Sequence, residues 1–302
     1  MAKRTESKRK CGVLLPVSSL PSDYGIGTFS KEAYEFIDFL ARAGQTYWQI
    51  LPLGPTSYGD SPYQSFSTFA GNPYFIDPEE MIRAGWISHK DMKSCDFGDN
   101  SEYVDYEKMY QARFGLLKKA YEKSGLSHKG ATGADPALAK DFGTFCTENA
   151  AWLDDYALYM TLKNIYSGLG WNEWPGEIRM RNQRTIEKLQ MQYADETGFY
   201  RFQQYLFDRQ WKALKAYANA KGIRIIGDIP IYVAFDSADT WANPELFQLD
   251  EENVPIAVAG CPPDAFSATG QLWGNPLYRW DYHKKTDFAW WMKRIATPRS
   301  ST

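Results

Sequence analysis

Histidine and cysteine are scarce in this chain, with three and four copies respectively in 302 residues. Cys11, Cys95, Cys146 and Cys261 lie far apart and show no C-x-x-C spacing. That argues against a zinc site or a disulfide framework and fits a reducing cytoplasm. His89, His128 and His283 form no cluster, so neither a metal-ligand set nor a Ser–His nucleophile pair is indicated. An excess of positive charge is also missing. The net charge of -3 gives no electrostatic case for nucleic acid or for an acidic membrane surface. Long apolar runs are absent too. The basic start Lys3 to Lys10 precedes only Gly12-Val13-Leu14-Leu15 before Pro16, too short for a signal-peptide core or a membrane span.

What the chain does have is aromatic side chains, 16% of all residues, with 11 Trp and 20 Tyr. Many belong in a core, but flat rings also suit the C–H faces of sugars. With 44% hydrophobic and 24% charged residues the chain reads as soluble and globular.

The order of elements points to parallel β-structure. An apolar run from Cys11 to Val17 is broken by Ser18-Ser19-Leu20-Pro21. Ser30 then caps a helix with Ala33, Phe36, Ile37, Leu40 and Ala41 at helical spacing, ended by Gly44. A second apolar run, Thr46 to Leu53, completes a βαβ unit with a right-handed crossover. Residues 75–198 carry mostly helical periodicity, notably Tyr106 to Tyr121 and Asp141 to Ile165. An amphipathic helix from Phe199 to Ala220 leads into a third run, Ile223 to Val233. Residues 235–285 read as an irregular insertion dense in Pro, Gly, Trp and Asp, and Phe288 to Ile295 as the start of a further helix. The expected division is therefore 1–74, 75–198, 199–234, 235–285 and 286–302. Gly25-Ile26-Gly27 lacks the third glycine of a dinucleotide loop and lies well past its strand, so a nucleotide site is not indicated.

The loops after the three runs carry the chemistry. In a barrel of βα units, polar residues at the carboxyl ends of strands face the active site. After the second run come Tyr58-Gly59-Asp60-Ser61-Pro62-Tyr63-Gln64-Ser65 and Ala70-Gly71-Asn72-Pro73-Tyr74. The third run contains Gly227-Asp228-Ile229-Pro230. Beyond it lie Gly260-Cys261-Pro262-Pro263-Asp264 and Gln271-Leu272-Trp273-Gly274-Asn275-Pro276. Hydroxyl, amide, carboxylate and indole groups without a basic cluster suit a neutral, polyhydroxylated ligand. Asp60 reads as a loop cap, and Asp236, Asp239 and Asp250-Glu251-Glu252 as solvated.

These loops, with Trp171-Asn172-Glu173-Trp174-Pro175, resemble the amylomaltase family of 4-α-glucanotransferases from about Cys11 to Ile295. The resemblance implies a (β/α)8 barrel with inserted subdomains, of which about the first three βα units are present. It implies a cytoplasmic enzyme without metal or organic cofactor. That enzyme passes a segment of maltooligosaccharide, starch or glycogen to the 4-hydroxyl of another sugar by a retaining route. By the same matching, Asp228 hydrogen-bonds the glucosyl unit at the cleavage point, and Asp264 lies on a loop over the acceptor side. Ser61, Tyr63, Gln271, Trp273 and Asn275 line the groove, and Tyr58 contacts glucan farther out.

The family's nucleophile sits in an Arg-x-Asp-His motif, and no such run occurs here. Nucleophile and acid/base are accordingly expected beyond Thr302, with the tail Ala296 to Thr302 unlike the family. A retaining mechanism needs two carboxyl groups roughly 5–5.5 Å apart, and the matching does not assign Asp228 and Asp264 that role. The alternatives are a non-catalytic glucan-binding fragment or a glycogen-debranching-type transferase.

Overall fold

Three apolar runs become three strands of one parallel sheet in the computed structural model, which describes residues 9–57, 59–127 and 133–296. β1 (Gly12–Leu14), β2 (Tyr47–Gln49) and β3 (Arg224–Ile226) lie side by side in that order. Val13 stands opposite Trp48, and Trp48 opposite Ile225. The strands are shorter than the runs. Pro16, Pro52 and Pro230 lack the N–H that a longer ladder requires, and the chain leaves the sheet before each of them. The third run differs most, because only Arg224–Ile226 pairs and the residues after it form an irregular loop.

Between β1 and β2, α1 (Lys31–Arg42) buries Ala33, Ile37 and Leu40, a spacing that puts all three on one helical face. Ser30 occupies the N-cap, but its hydroxyl donates to Glu32 and does not cap the helix. Gly44, at φ 70°, adopts the left-handed conformation that ends the turn. Between β2 and β3 come α2 (Pro78–Arg83), α3 (His89–Lys93), α4 (Tyr106–Lys123), α5 (Pro136–Ile165), α6 (Gly176–Arg179), α7 (Gln183–Gln192) and α8 (Ala194–Ala220). The long helices α5 and α8 pack along each other, with the Tyr205 hydroxyl donating to Asp141 at 2.6 Å.

After β3 the chain was expected to be irregular as far as residue 285, and here the structure differs. α9 (Ala238–Ala242) is followed by an antiparallel hairpin of β4 (Val258–Cys261) and β5 (Gln271–Pro276), then α10 (Trp280–Lys285) and α11 (Ala289–Ala296). The hairpin escapes a pattern search because the first four residues of β5 are all exposed, so polar and apolar positions do not alternate.

The sheet is covered on one face. Trp48 and Ile225 are buried against α1 and α8, in a core that also takes in Met81, Leu117 and Phe202. α2, α3, α4, α8 and the first half of α5 therefore share the strands' own core, whereas α6 and α7 do not. On the other face Leu14 is 56% exposed. A second cluster gathers Tyr159, Trp171, Trp174 and Trp241, and a third Phe247, Tyr278 and Trp290. Among the described residues, no helix is long and apolar enough to cross a membrane.

Candidate functional site

Val17, Pro52 and Asp228 follow the carboxyl ends of β1, β2 and β3, so the loops that carry them leave the same edge of the sheet. In the loop after β2, Gln64 N–H donates to Ser61 O at 3.1 Å and Ser57 N–H to Gln64 O at 3.0 Å. Ser61 Oγ accepts the Tyr63 N–H at 3.3 Å. This tight turn lifts Tyr63 out to 45% exposure. Its hydroxyl donates to Asp228 Oδ2 at 2.6 Å, across 165 residues of sequence. The bond pushes the Tyr63 phenol up to about 12, with partial burial a lesser cause. Ionising it would remove the donor and set two negative charges together. At neutral pH, Tyr63 is thus a fixed, neutral donor beside a carboxylate.

Below the pair lies a recess of about 60 Å³ lined by Pro52, Tyr63, Ser67, Thr68, Tyr232 and Arg294 among others, with Asp228 the one carboxylate in its wall among the described residues. Its floor is cross-braced. Asp239 takes Thr68 N–H at 2.8 Å and Thr68 Oγ1–H at 2.7 Å, and Ala238 N–H donates to Phe66 O at 2.8 Å. Asp239 was expected to be solvated, but it is 4% exposed. Burial holds its carboxyl above the usual aspartate range. Asp236 also departs from the expectation. It accepts from the Tyr159 hydroxyl at 2.5 Å and from Lys163 Nζ at 2.6 Å, tying α5 to the loop after β3. Gly71 completes the packing behind this loop, where a Cβ would come within 2.3 Å of the Phe207 ring.

The other expected site residues are divided. Asn275 was expected to line a groove, but it is 4% exposed and its amide turns inward. Its Nδ2 donates to Val233 O at 3.0 Å, and its Oδ1 accepts from Gln64 Nε2 at 3.4 Å. Gln271 and Trp273 sit on the open face of β5, the indole N–H donating to Gln271 Oε1 at 3.1 Å. The Trp273 ring centroid lies 6.0 Å from that of Tyr232. Asp264, between β4 and β5, accepts from the N–H groups of Phe266 and Ser267 and so caps its own turn. Tyr58 lies outside the described residues.

Sequence reasoning missed a larger cavity of about 680 Å³, where Gly59 and Asp60 face Tyr74, Tyr106, Tyr110, Phe114, Tyr156 and Tyr200. Two signals pointed to it: the aromatic excess, and the spacing of Tyr106, Tyr110 and Phe114 along one face of α4; Tyr74, Tyr156 and Tyr200 come from separate elements. Asp60, at φ 52°, takes the left-handed conformation, and burial raises its carboxyl. Among the described residues no group of three or more His, Cys, Asp or Glu is placed to hold a metal ion.

A parallel βα sheet whose loops gather at the carboxyl ends of its strands defines an α/β class of fold. The family model described as 4-alpha-glucanotransferase matches residues 15–301, so the chain belongs to that family. It is 50% identical over 280 residues to a 4-alpha-glucanotransferase of Clostridium butyricum, covering 92% of this chain and 55% of that protein. It is 49% identical over 290 residues to one of Thermus thermophilus, covering 96% of this chain and 56% of that protein. Among solved structures, amylomaltase from Streptococcus agalactiae in complex with acarbose superposes with a TM-score of 0.89 at 44% identity, over 95% of this chain and 57% of that one. The chain thus spans about half the length of the curated relatives it matches.

Proposed function

We propose that this chain supplies the glucan-binding part of a 4-α-glucanotransferase site, acting on maltooligosaccharide, starch or glycogen, within the (β/α)8 architecture that the family resemblance implies. The single observation that carries this reading is the Tyr63–Asp228 bond, which joins two loops at one edge of the sheet and leaves a carboxylate and a phenol facing outward. Vicinal hydroxyls of a glucosyl unit can give paired hydrogen bonds to Asp228, and charge-assisted bonds of this kind are the strong ones. Trp273 and Tyr232 offer ring faces nearby. The larger aromatic cavity beside Gly59 suits a second contact with the glucan, in keeping with the expectation for Tyr58.

We do not assign a nucleophile or acid/base to this chain, because retaining transfer requires two carboxyl groups and the recess wall holds one among the described residues. Four cysteines without a disulfide accord with a cytoplasmic site of action. Calorimetric titration with maltoheptaose tests the reading. The wild-type chain should bind, and Asp228→Asn should weaken binding at least about tenfold, the loss of one charge-assisted bond. Equal binding by both proteins would remove Asp228 from the site. Incubation with maltotriose should give no glucose and no longer products; their steady accumulation would show that the chain carries a working carboxylate pair.

A further inference from the structure

Asp228 occupies a segment that the sheet does not hold. Strand pairing ends at Ile226, and the residues from Gly227 onward lack ladder hydrogen bonds. Three side chains from residues 275–294 grip the carbonyls of this segment one after another. Arg294 Nη2 donates to Pro230 O, the Tyr278 hydroxyl to Ile231 O at 2.9 Å, and Asn275 Nδ2 to Val233 O at 3.0 Å. The grips are themselves joined, since Arg294 Nη1 reaches the Tyr278 oxygen at 3.5 Å. All three side chains are at most 4% exposed. Asn275 does more than the others, because it also accepts from Gln64, the neighbour of Tyr63. One buried amide therefore spans both loops whose tips meet in the Tyr63–Asp228 bond.

We propose that Asn275, Tyr278 and Arg294 are positioning residues that hold the Asp228 segment against the Tyr63 turn, so that the pair is set before any sugar arrives. The role is indirect: they act on the ligand through Asp228. A segment without ladder bonds has many conformations open to it, and each carbonyl anchored to a buried donor removes some of them. Preorganisation of this kind raises affinity by reducing the ordering that binding must otherwise bring about.

The proposal rests on the glucan reading only for its consequence in binding, and the experiment separates the two. 3-Fluorotyrosine is placed at position 63 and its ionisation followed by 19F NMR in the full chain. In the otherwise wild-type chain the label should ionise at higher pH than free 3-fluorotyrosine, and Asp228→Asn should bring it down. Asn275→Ala and the conservative Tyr278→Phe, which removes one oxygen from an otherwise kept ring, should each bring it down as well. An unchanged ionisation in both would overturn the proposal, with or without ligand.

Maltoheptaose titration provides the second arm. Asn275→Ala should weaken binding about tenfold in the wild-type background and leave the Asp228→Asn chain unaffected, as expected of residues acting through one another. Equal losses in both backgrounds would mean a direct sugar contact or a general structural defect, and would overturn the positioning role. If the wild-type chain failed to bind maltoheptaose, the glucan reading would fall while the 19F result still decided the brace.

Discussion

Tyr63, Gln64 and Asn275 bond partners 165, 211 and 42 residues away, whereas the side chains of Asp264 and Trp273 bond within three residues of themselves. Both groups belong to the same candidate site. The first sits where loops from different strands are sewn together over a buried floor, with Asn275 at the buried end of β5 joining them; the second rides on the exposed outer part of the same hairpin. Local bonds shape the outer part of the hairpin, while the long-range bonds of Asn275 anchor its base and those of Tyr63 and Gln64 fix one loop against another. The difference separates the candidate site into a preset half, fixed by long-range bonds, and a hairpin half shaped by local ones.

The sharpest way to break that comparison is through two tryptophans. Trp241 is 1% exposed, its indole N–H donates to Ile178 O at 3.0 Å, and the Arg181 guanidinium lies 4.3 Å above its ring. Trp241→Ala should cost about 3–5 kcal/mol in urea unfolding, the usual range for a buried aromatic. Trp273→Ala, 43% exposed on the hairpin, should stay within about 0.5 kcal/mol of wild type. Similar losses at the two positions would mean that the hairpin is part of the core after all.

Asp239 gives the next effect. Asp239→Ala leaves two Thr68 donors without their acceptor and should cost about 1–3 kcal/mol. The same residue makes a pH-dependent prediction. Its folded-state carboxyl is raised by burial, so the folded chain keeps a proton that the unfolded chain gives up. The stabilising contribution is full below the ordinary aspartate range, about pH 4, and is lost as pH rises through the folded value. Urea midpoints measured on both sides of that range should therefore fall with pH more steeply in wild type than in Asp239→Asn. Parallel profiles would show that the carboxyl is not raised.

The smallest effect lies in the hairpin. Asp264→Ala removes two turn bonds at an exposed site and should change stability by no more than about 0.5 kcal/mol. Limited proteolysis should still find the hairpin first, beside Phe266, which is 94% exposed. A first cut in the Ser61–Gln64 turn would reverse the ranking of the two halves.

Helical spacing made α1, α4, α5 and α8 legible, although only α1 shows a clean apolar face while α5 and α8 are buried all round through Tyr156–Tyr159 and Phe202–Asp208, and Gly44 and Gly222 mark the turns that end α1 and α8. The parallel order of β1, β2 and β3 came from the alternation of strand and helix, and with it the shared edge at Val17, Pro52 and Asp228. What sequence could not yield was anything fixed by a distant partner. Nothing near Asp239 in the chain announces Thr68, and nothing near Asn275 announces Gln64 or Val233. Asp239 therefore reads as solvated from sequence, whereas it is buried, and the inward bonds of Asn275 have no sequence signal. β4 and β5 were missed for a different cause, since Gln271–Gly274 are all exposed and give β5 no alternation to read.

The most direct test of the preset half-site is a crystal structure of the chain soaked with maltoheptaose. The account predicts one glucosyl unit with hydroxyls within hydrogen-bond distance, about 2.6–3.2 Å, of both Asp228 and Tyr63, whose mutual bond persists. Sugar bound only elsewhere, with the Tyr63–Asp228 pair empty or broken apart, would contradict it.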